Sequence, residues 1–150
     1  MEKNNMELKL EKSSEEEFEK IAKIYETEFS KPPYNESWTI KMAQNKIKFF
    51  AEFYDLYSIK KDDETIGFIV INPNFMCPGE VAFGEEMAIR ADMQNKGIGT
   101  WTFNEIFKIY KERGFKKFMG IANVESKAFK LYNKIEILPS KKDVLIEKKL

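Results

Sequence analysis

The 150-residue sequence predicts an α/β fold, and three observations carry that expectation. Several stretches place apolar side chains on one face of a 3.6-residue repeat, as amphipathic helices do. Shorter stretches alternate apolar and polar residues, or run apolar between turn residues, as strands do. The two kinds are interleaved: strand, two helices, three strands, helix, strand, helix, and one or two further strands. No repeat, linker or low-complexity tract interrupts them, so residues 1–150 are expected to form a single domain.

Each element has its own signal. Met6 to Leu10 alternates apolar and charged residues, the pattern of a half-exposed strand. Ser14 and Glu17 have capping-box spacing, and Phe18, Ile21, Ala22, Tyr25 and Phe29 then form a helical stripe. Lys31-Pro32-Pro33 breaks that helix. From Trp38 to Tyr54 a second helix is expected, with Ala43, Ile47, Phe50 and Tyr54 along one face. Leu56–Lys60 and Ile66–Ile71 read as two strands joined by a turn at Asp62-Asp63-Glu64. Pro73 and Pro78-Gly79 bracket a loop before a strand from Val81 to Ile89. Phe103, Ile106, Phe107 and Tyr110 mark the next helix, and Gly114 sits where its C-cap belongs. A strand from Phe115 to Ile121 follows, then a helix carrying Ala128, Leu131, Tyr132 and Ile135. Val144–Lys148 reads as a last strand.

The most informative segment lies between the Val81–Ile89 strand and the helix of Phe103. Gln94-Asn95-Lys96-Gly97-Ile98-Gly99-Thr100 makes a strand, glycine turn and helix start, a combination that suits an anion. The first amides of a helix have no internal partner, its dipole attracts negative charge, and glycines let a phosphate approach the backbone. The spacing is neither that of a nucleotide P-loop nor that of the dinucleotide fingerprint, because Thr102 stands where a third glycine would fall. An ordinary glycine-bearing turn remains the plain alternative.

The pattern Gln94-x-x-Gly97-x-Gly99, following Met87-Ala88-Ile89-Arg90, resembles the acyl-coenzyme A pyrophosphate loop of the GCN5-related N-acetyltransferases. Ala128-x-x-Leu131-Tyr132-x-Lys134 is similar to the family's next segment, in the same order and at a similar distance. The sequence departs from the pattern at Glu136 and Ile137, where Gly-Phe is usual, and at Glu125, where Asn is usual. The resemblance implies a twisted mixed β-sheet with helices on both faces. It also implies that the strands on either side of the phosphate helix run parallel and then splay, exposing backbone to pantetheine.

Composition narrows the chemistry. Twenty-five basic residues balance 25 acidic ones, so there is no global field for nucleic acid or an anionic membrane. Lys116-Lys117 and Lys141-Lys142 read as solvated. The chain has no histidine, which removes Ser-His-Asp and Cys-His catalysis and the usual zinc sites. Any general base is a carboxylate, tyrosine, lysine or water relay. Cys77 has no cysteine partner and no histidine to activate it. Met1–Leu10 lacks the apolar core of a signal peptide, and no apolar run is long enough to span a bilayer. A soluble, reducing, cytoplasmic setting is expected.

The resemblance carries over to particular residues. It assigns the amides of Gly97, Ile98, Gly99 and Thr100 to pyrophosphate, with Gln94 in the loop motif and Asn95 and Lys96 at its rim. Met87 and Ile89 are core-strand side chains whose backbone groups would face pantetheine. Tyr132 is the candidate general acid, since a phenol is protonated at neutral pH; otherwise it is a core tyrosine on its helix stripe. Glu85 is the candidate base, with Glu86 or a bound water as alternatives. Adjacent strand residues point to opposite faces, which puts Glu85 with Met87 and Ile89 unless a bulge intervenes. Tyr34 and Trp38 either enclose the acceptor or pack a lid onto the core, and Glu26, Glu28 or Glu36 could attract a cationic amine.

The resulting reading is an acetyl-coenzyme A-dependent N-acetyltransferase acting on a small-molecule or peptide amine in a ternary complex. No metal, nucleic acid or membrane is involved, and a homodimer is left open. The alternatives are a non-catalytic acyl-coenzyme A-binding module and, more remotely, a nucleotide-binding protein.

Overall fold

A computed structural model describes residues 7–150. Met6, expected to open the first strand, lies outside the described residues. The elements in chain order are β1 (Leu8–Lys12), α1 (Phe18–Phe29), α2 (Ile40–Phe53), β2 (Asp55–Lys61), β3 (Glu64–Asn72), β4 (Val81–Ile89), α3 (Ile98–Glu112), β5 (Lys117–Gly120) and α4 (Lys127–Lys134). The strands form one sheet in the order β1-β2-β3-β4-β5. Its first three pairings are antiparallel, and β4 pairs with β5 in parallel.

The sheet carries apolar residues on both faces because helices cover both. Phe68, Val70 and Ala88 pack under Ile21, Tyr25, Ile47 and Phe50 of α1 and α2. Tyr57, Ile69, Ile71 and Ala82 pack under Phe103, Ile106 and Tyr110 of α3, and Leu131 and Tyr132 of α4 join them. β3 is buried from Thr65 to Asn72, so it reads as a continuous apolar run and not as an alternation. The β2–β3 hairpin turns on Asp62 and Asp63, whose φ angles of 49° and 66° suit the tight two-residue turn that matches strand twist.

Several local expectations change. Ser14 and Glu17 do not form a capping box: Ser14 makes no side-chain cap to the backbone, its hydroxyl donates to the Glu17 carboxylate at 3.4 Å, and Glu17 also reaches Ser58 and Lys60. A 3-10 turn over Glu15–Glu17 leads into α1 instead. α2 begins at Ile40 behind a Thr39 cap, whose hydroxyl accepts from the Met42 amide at 3.2 Å, leaving Trp38 in the preceding loop. β5 is shorter than the expected Phe115–Ile121. Val144–Lys148 joins no sheet, and Val144, Leu145 and Ile146 are exposed. Its apolar residues are consecutive and do not alternate, so in an edge strand they would not share one face.

Candidate active site

Two irregularities in β4 shape the site. The first is the end of its pairing with β5. The parallel register runs from Val81↔Lys117 to Gly84↔Gly120 and stops, while β4 continues to Ile89. From Glu85 onward, one edge of β4 is free. The Arg90 amide donates to the Ile66 carbonyl at 2.8 Å, which makes Gly67↔Ile89 and Ile69↔Met87 the non-hydrogen-bonded pairs with β3. The backbone groups of Met87 and Ile89 therefore point away from β3 into the gap. Their side chains pack toward α3.

The second irregularity is a bulge. Val70 pairs with Glu86 but Ile71 pairs with Gly84, so Glu85 is the extra residue. Parity alone would have put Glu85 and Glu86 on opposite faces. The bulge turns both toward the α1–α2 side. Glu85 accepts from the Asn72 side-chain amide at 3.1 Å, and Glu86 accepts from the Tyr25 hydroxyl of α1 at 3.2 Å. Burial is the main reason the Glu86 carboxyl is pushed up to about 7. The Tyr25 hydrogen bond and Lys46 act against that rise, and Glu36 and Glu85 add to it.

A cleft of about 330 Å³ opens where β4 and β5 part. Glu85, Glu86 and Met87 form one wall, and Ala128, Phe129 and Tyr132 of α4 form another. Phe29 and Tyr34 close one side, their rings in edge contact at 5.0 Å. Tyr132 is set by the Ser126 cap of α4, whose hydroxyl accepts from the Phe129 amide, and by an edge contact with Phe103 at 5.3 Å. Burial, with smaller contributions from Tyr34 and Glu86, pushes its phenol up to about 12, so it carries its proton at neutral pH.

Trp38 does not line this cleft. It packs edge-on against Tyr25 at 4.5 Å, and its indole nitrogen is buried without a hydrogen-bond partner among the described residues. Two of the three carboxylates considered for the acceptor are occupied. Glu26 pairs with Lys23 at 3.0 Å, and Glu28 with Lys31 at 2.6 Å. Glu36 has no such pair among the described residues, and its charge reaches Tyr25 and Glu86.

At the far end of β4 the chain turns into α3. Arg90 fixes the turn through Asp92 at 2.6 Å and Glu64 at 2.6 Å, so its guanidinium is already committed. The Gln94 side chain points inward, where its amide donates to the Ile89 carbonyl at 2.7 Å and to Glu28. It latches the loop to β4 and α1. Asn95 and Gly97 adopt left-handed φ angles of 61° and 80°. A side chain at Gly97 would project into open space. The first intrahelical bond comes from Trp101 to Gly97, which leaves the Ile98, Gly99 and Thr100 amides unpaired at the helix start. Gly99, expected to give phosphate access, also stands at a close helix contact. A β-carbon there would lie 2.7 Å from a methyl of Leu131, so the glycine lets α3 and α4 pack closely.

An open cradle at Gly97, free amides on a 15-residue helix and the exposed edge of β4 together fit the pyrophosphate and pantetheine of coenzyme A. The model of the acetyltransferase (GNAT) family matches residues 18–136. The chain belongs to that family. It is an acyltransferase that uses acetyl-coenzyme A. The GNAT fold recurs in solved structures of low sequence identity. A possible acetyltransferase from Clostridium difficile 630 superposes with a TM-score of 0.77 at 13% identity, covering 95% of this chain and 97% of that one. The aminoglycoside N-acetyltransferase AAC(6')-Iy in complex with CoA gives 0.76 at 9% identity over the whole of both chains. A ribosomal-protein-alanine N-acetyltransferase from Brucella melitensis biovar Abortus 2308 gives 0.70 at 14%, covering 95% and 99%. No curated protein matches in sequence. No helix among the described residues is long and apolar enough to cross a membrane, and none of their His, Cys, Asp or Glu side chains cluster as a metal site.

Sequence reasoning missed Tyr25 and Asn72, the two residues that hold the adjacent glutamates. Tyr25 sits on an apolar helix stripe and Asn72 at the end of an apolar strand. The only available signal was a polar atom at a core position.

Proposed function

We propose that residues 1–150 act as one N-acetyltransferase domain that moves an acetyl group to a primary amine by direct attack in a ternary complex. The observation that carries this reading is the meeting of Glu86 and Tyr132 in one cleft, at the open edge of β4. The cofactor presents its acetyl group as a thioester. The α3 amides from Gly97 to Thr100 hold its pyrophosphate, with Asn95 and Lys96 at the rim. The backbone groups of Met87 and Ile89 line the path to the cleft.

Glu86 is the base in this proposal. A carboxyl poised near neutrality, on a strand wall of the cleft, can take a proton from the acceptor's ammonium at one oxygen. Glu85 stands beside it, held by Asn72, and adds negative charge that favours a cationic acceptor. The Tyr132 hydroxyl supplies the proton that the departing thiolate needs. Tyr34 bounds the acceptor's side of the cleft. Trp38 acts on that side through Tyr25. The acceptor is a small-molecule or peptide amine; the aminoglycoside and ribosomal-protein enzymes of the same fold make both kinds reasonable to screen.

The test is a thiol-release assay over a library of primary amines, run with purified protein and a chelator. At least one amine should release coenzyme A thiol continuously. Binding of acetyl-coenzyme A without thiol release from any amine would favour a binding module over this reaction. Tighter binding of ATP or NAD than of coenzyme A would overturn the loop assignment.

A further inference from the structure

We infer that Tyr25 is a positioning residue for the proposed base: its hydroxyl, held behind β4 by a buried aromatic cage, donates to one oxygen of Glu86 and leaves the other to face the cleft. The inference rests on the reading of Glu86 as the base, and its test is built to separate the two.

Tyr25 is 1% exposed, so it cannot touch the acceptor. Its ring is fixed on several sides: Trp38 edge-on at 4.5 Å, Phe29 at 4.7 Å and Phe68 stacked at 5.7 Å. That cage draws on α1, the loop before α2, and β3. With the ring immobile, the hydroxyl reaches Glu86 at 3.2 Å at little further entropic cost. Burial and the Glu86 charge both raise the Tyr25 phenol far above its ordinary range, so it acts only as a donor here. A donor to a carboxylate favours the charged form.

The remaining groups around Glu86 define what that bond offsets. Glu36, after α1, and Glu85, on the same strand, push its carboxyl toward the protonated form; Lys46 of α2 pulls the other way. Tyr132 of α4 is neutral and senses the Glu86 charge. Burial is the largest influence and also favours protonation. Without the Tyr25 hydroxyl, Glu86 would be mostly protonated at neutral pH, and a smaller fraction of it could accept a proton from an amine. The same bond fixes which oxygen faces the cleft. Trp38 supports the arrangement from behind, which gives it an effect on acceptor chemistry without acceptor contact.

The experiment follows the Glu86 carboxyl by carbon-13 NMR in the full chain, with the resonance assigned by its loss in Glu86→Gln. The wild-type midpoint is expected near 7. Tyr25→Phe should raise it by about 1–2 pH units, as expected for one lost hydrogen bond to a charged group. Site-specific 3-fluorotyrosine at position 25, a stronger donor of nearly the same shape, should lower it. This second variant keeps the test valid if Tyr25→Phe folds poorly. Once an acceptor is known, the acidic limb of kcat/KM against pH should shift in the same directions and turnover should recover at high pH. A core role alone would lower the melting temperature without moving either midpoint, and that result would overturn the inference. If Glu86→Gln left the pH–rate profile intact, the base assignment would fail, while the NMR titration would still decide whether Tyr25 controls Glu86.

Discussion

The two ends of the free stretch of β4 are built in different ways. At the Gln94–Thr100 end, consecutive residues make the proposed cofactor site, and its working atoms would be backbone amides on a helix that the turn itself starts. At the Glu85–Glu86 end, the working atoms are side chains, and they come from α1, β3, β4 and α4. The first region depends on glycine geometry, and the second on a bulge and on partners from other elements, Tyr25 lying 61 residues from Glu86 and Asn72 lying 13 from Glu85. Binding and chemistry should therefore separate under mutation. Changes at the loop should act on cofactor affinity, and changes at the bulge wall should act on turnover.

The largest effect is expected at Tyr132. Tyr132→Phe keeps the ring and its edge contact with Phe103, so cofactor affinity should hardly move. Turnover should fall by about 100- to 10,000-fold if the phenol is the proton donor. Steady-state and single-turnover rates check this; retention of more than half the turnover, with chemistry rate-limiting, would return Tyr132 to a packing role.

Next comes the contrast between the adjacent glutamates. Glu86→Gln should cost about 100-fold in turnover near neutral pH, and Glu85→Gln less than about 10-fold. Loss at high pH should be smaller for both, because the amine then deprotonates unaided. The reverse ranking in pH–rate profiles would move the base to Glu85 and make the bulge a structural feature only.

Glu86→Gln should also change stability with a definite sign. A carboxyl raised from its ordinary value of 4.5 to about 7 favours folding below 4.5 and loses that contribution as pH rises through 7. Relative to wild type, the Gln variant should gain stability from pH 4.5 upward, on the order of 3 kcal/mol above pH 7. Urea denaturation at several pH values measures it, and a pH-independent difference would contradict the burial of an ionisable Glu86.

The smallest effects distinguish the two loop glycines. Gly97→Val forces a branched residue into a left-handed φ and adds a side chain in the open space beside the helix start, where the proposed pyrophosphate would lie. Cofactor affinity should weaken by at least about tenfold, near 1.4 kcal/mol, with saturated turnover retained. Gly99→Ala should instead lower stability through contact with Leu131, by about 1 kcal/mol, and Leu131→Val should restore part of it. Calorimetric titration and thermal melts separate these outcomes. A loss of cofactor affinity in a stable Gly99→Ala would show that phosphate approach, and not helix packing, requires that glycine.

The glycine turn into α3, the proposed phosphate loop, was legible in the sequence because its requirements are local. A positive φ needs Gly97, a helix start needs unpaired amides, and an apolar stripe identifies α3. The α/β alternation, the helix stripes and the run from Val81 to Ile89 were legible for the same reason. Val144–Lys148 misled because apolar content alone does not supply a pairing partner.

The sequence by itself determined that this chain makes an α/β fold with a glycine turn leading into a helix start, and that it must work without histidine. The tertiary structure decided which glutamate faces which group, because a single extra residue at Glu85 reverses the parity of β4, and bulges leave no fixed trace in residue type. It also decided that Gly99 serves helix packing, that Gln94 latches the loop inward, and that Tyr25 stands behind Glu86. Each of those roles is a contact between elements, and the energy of a contact depends on what the fold brings within reach.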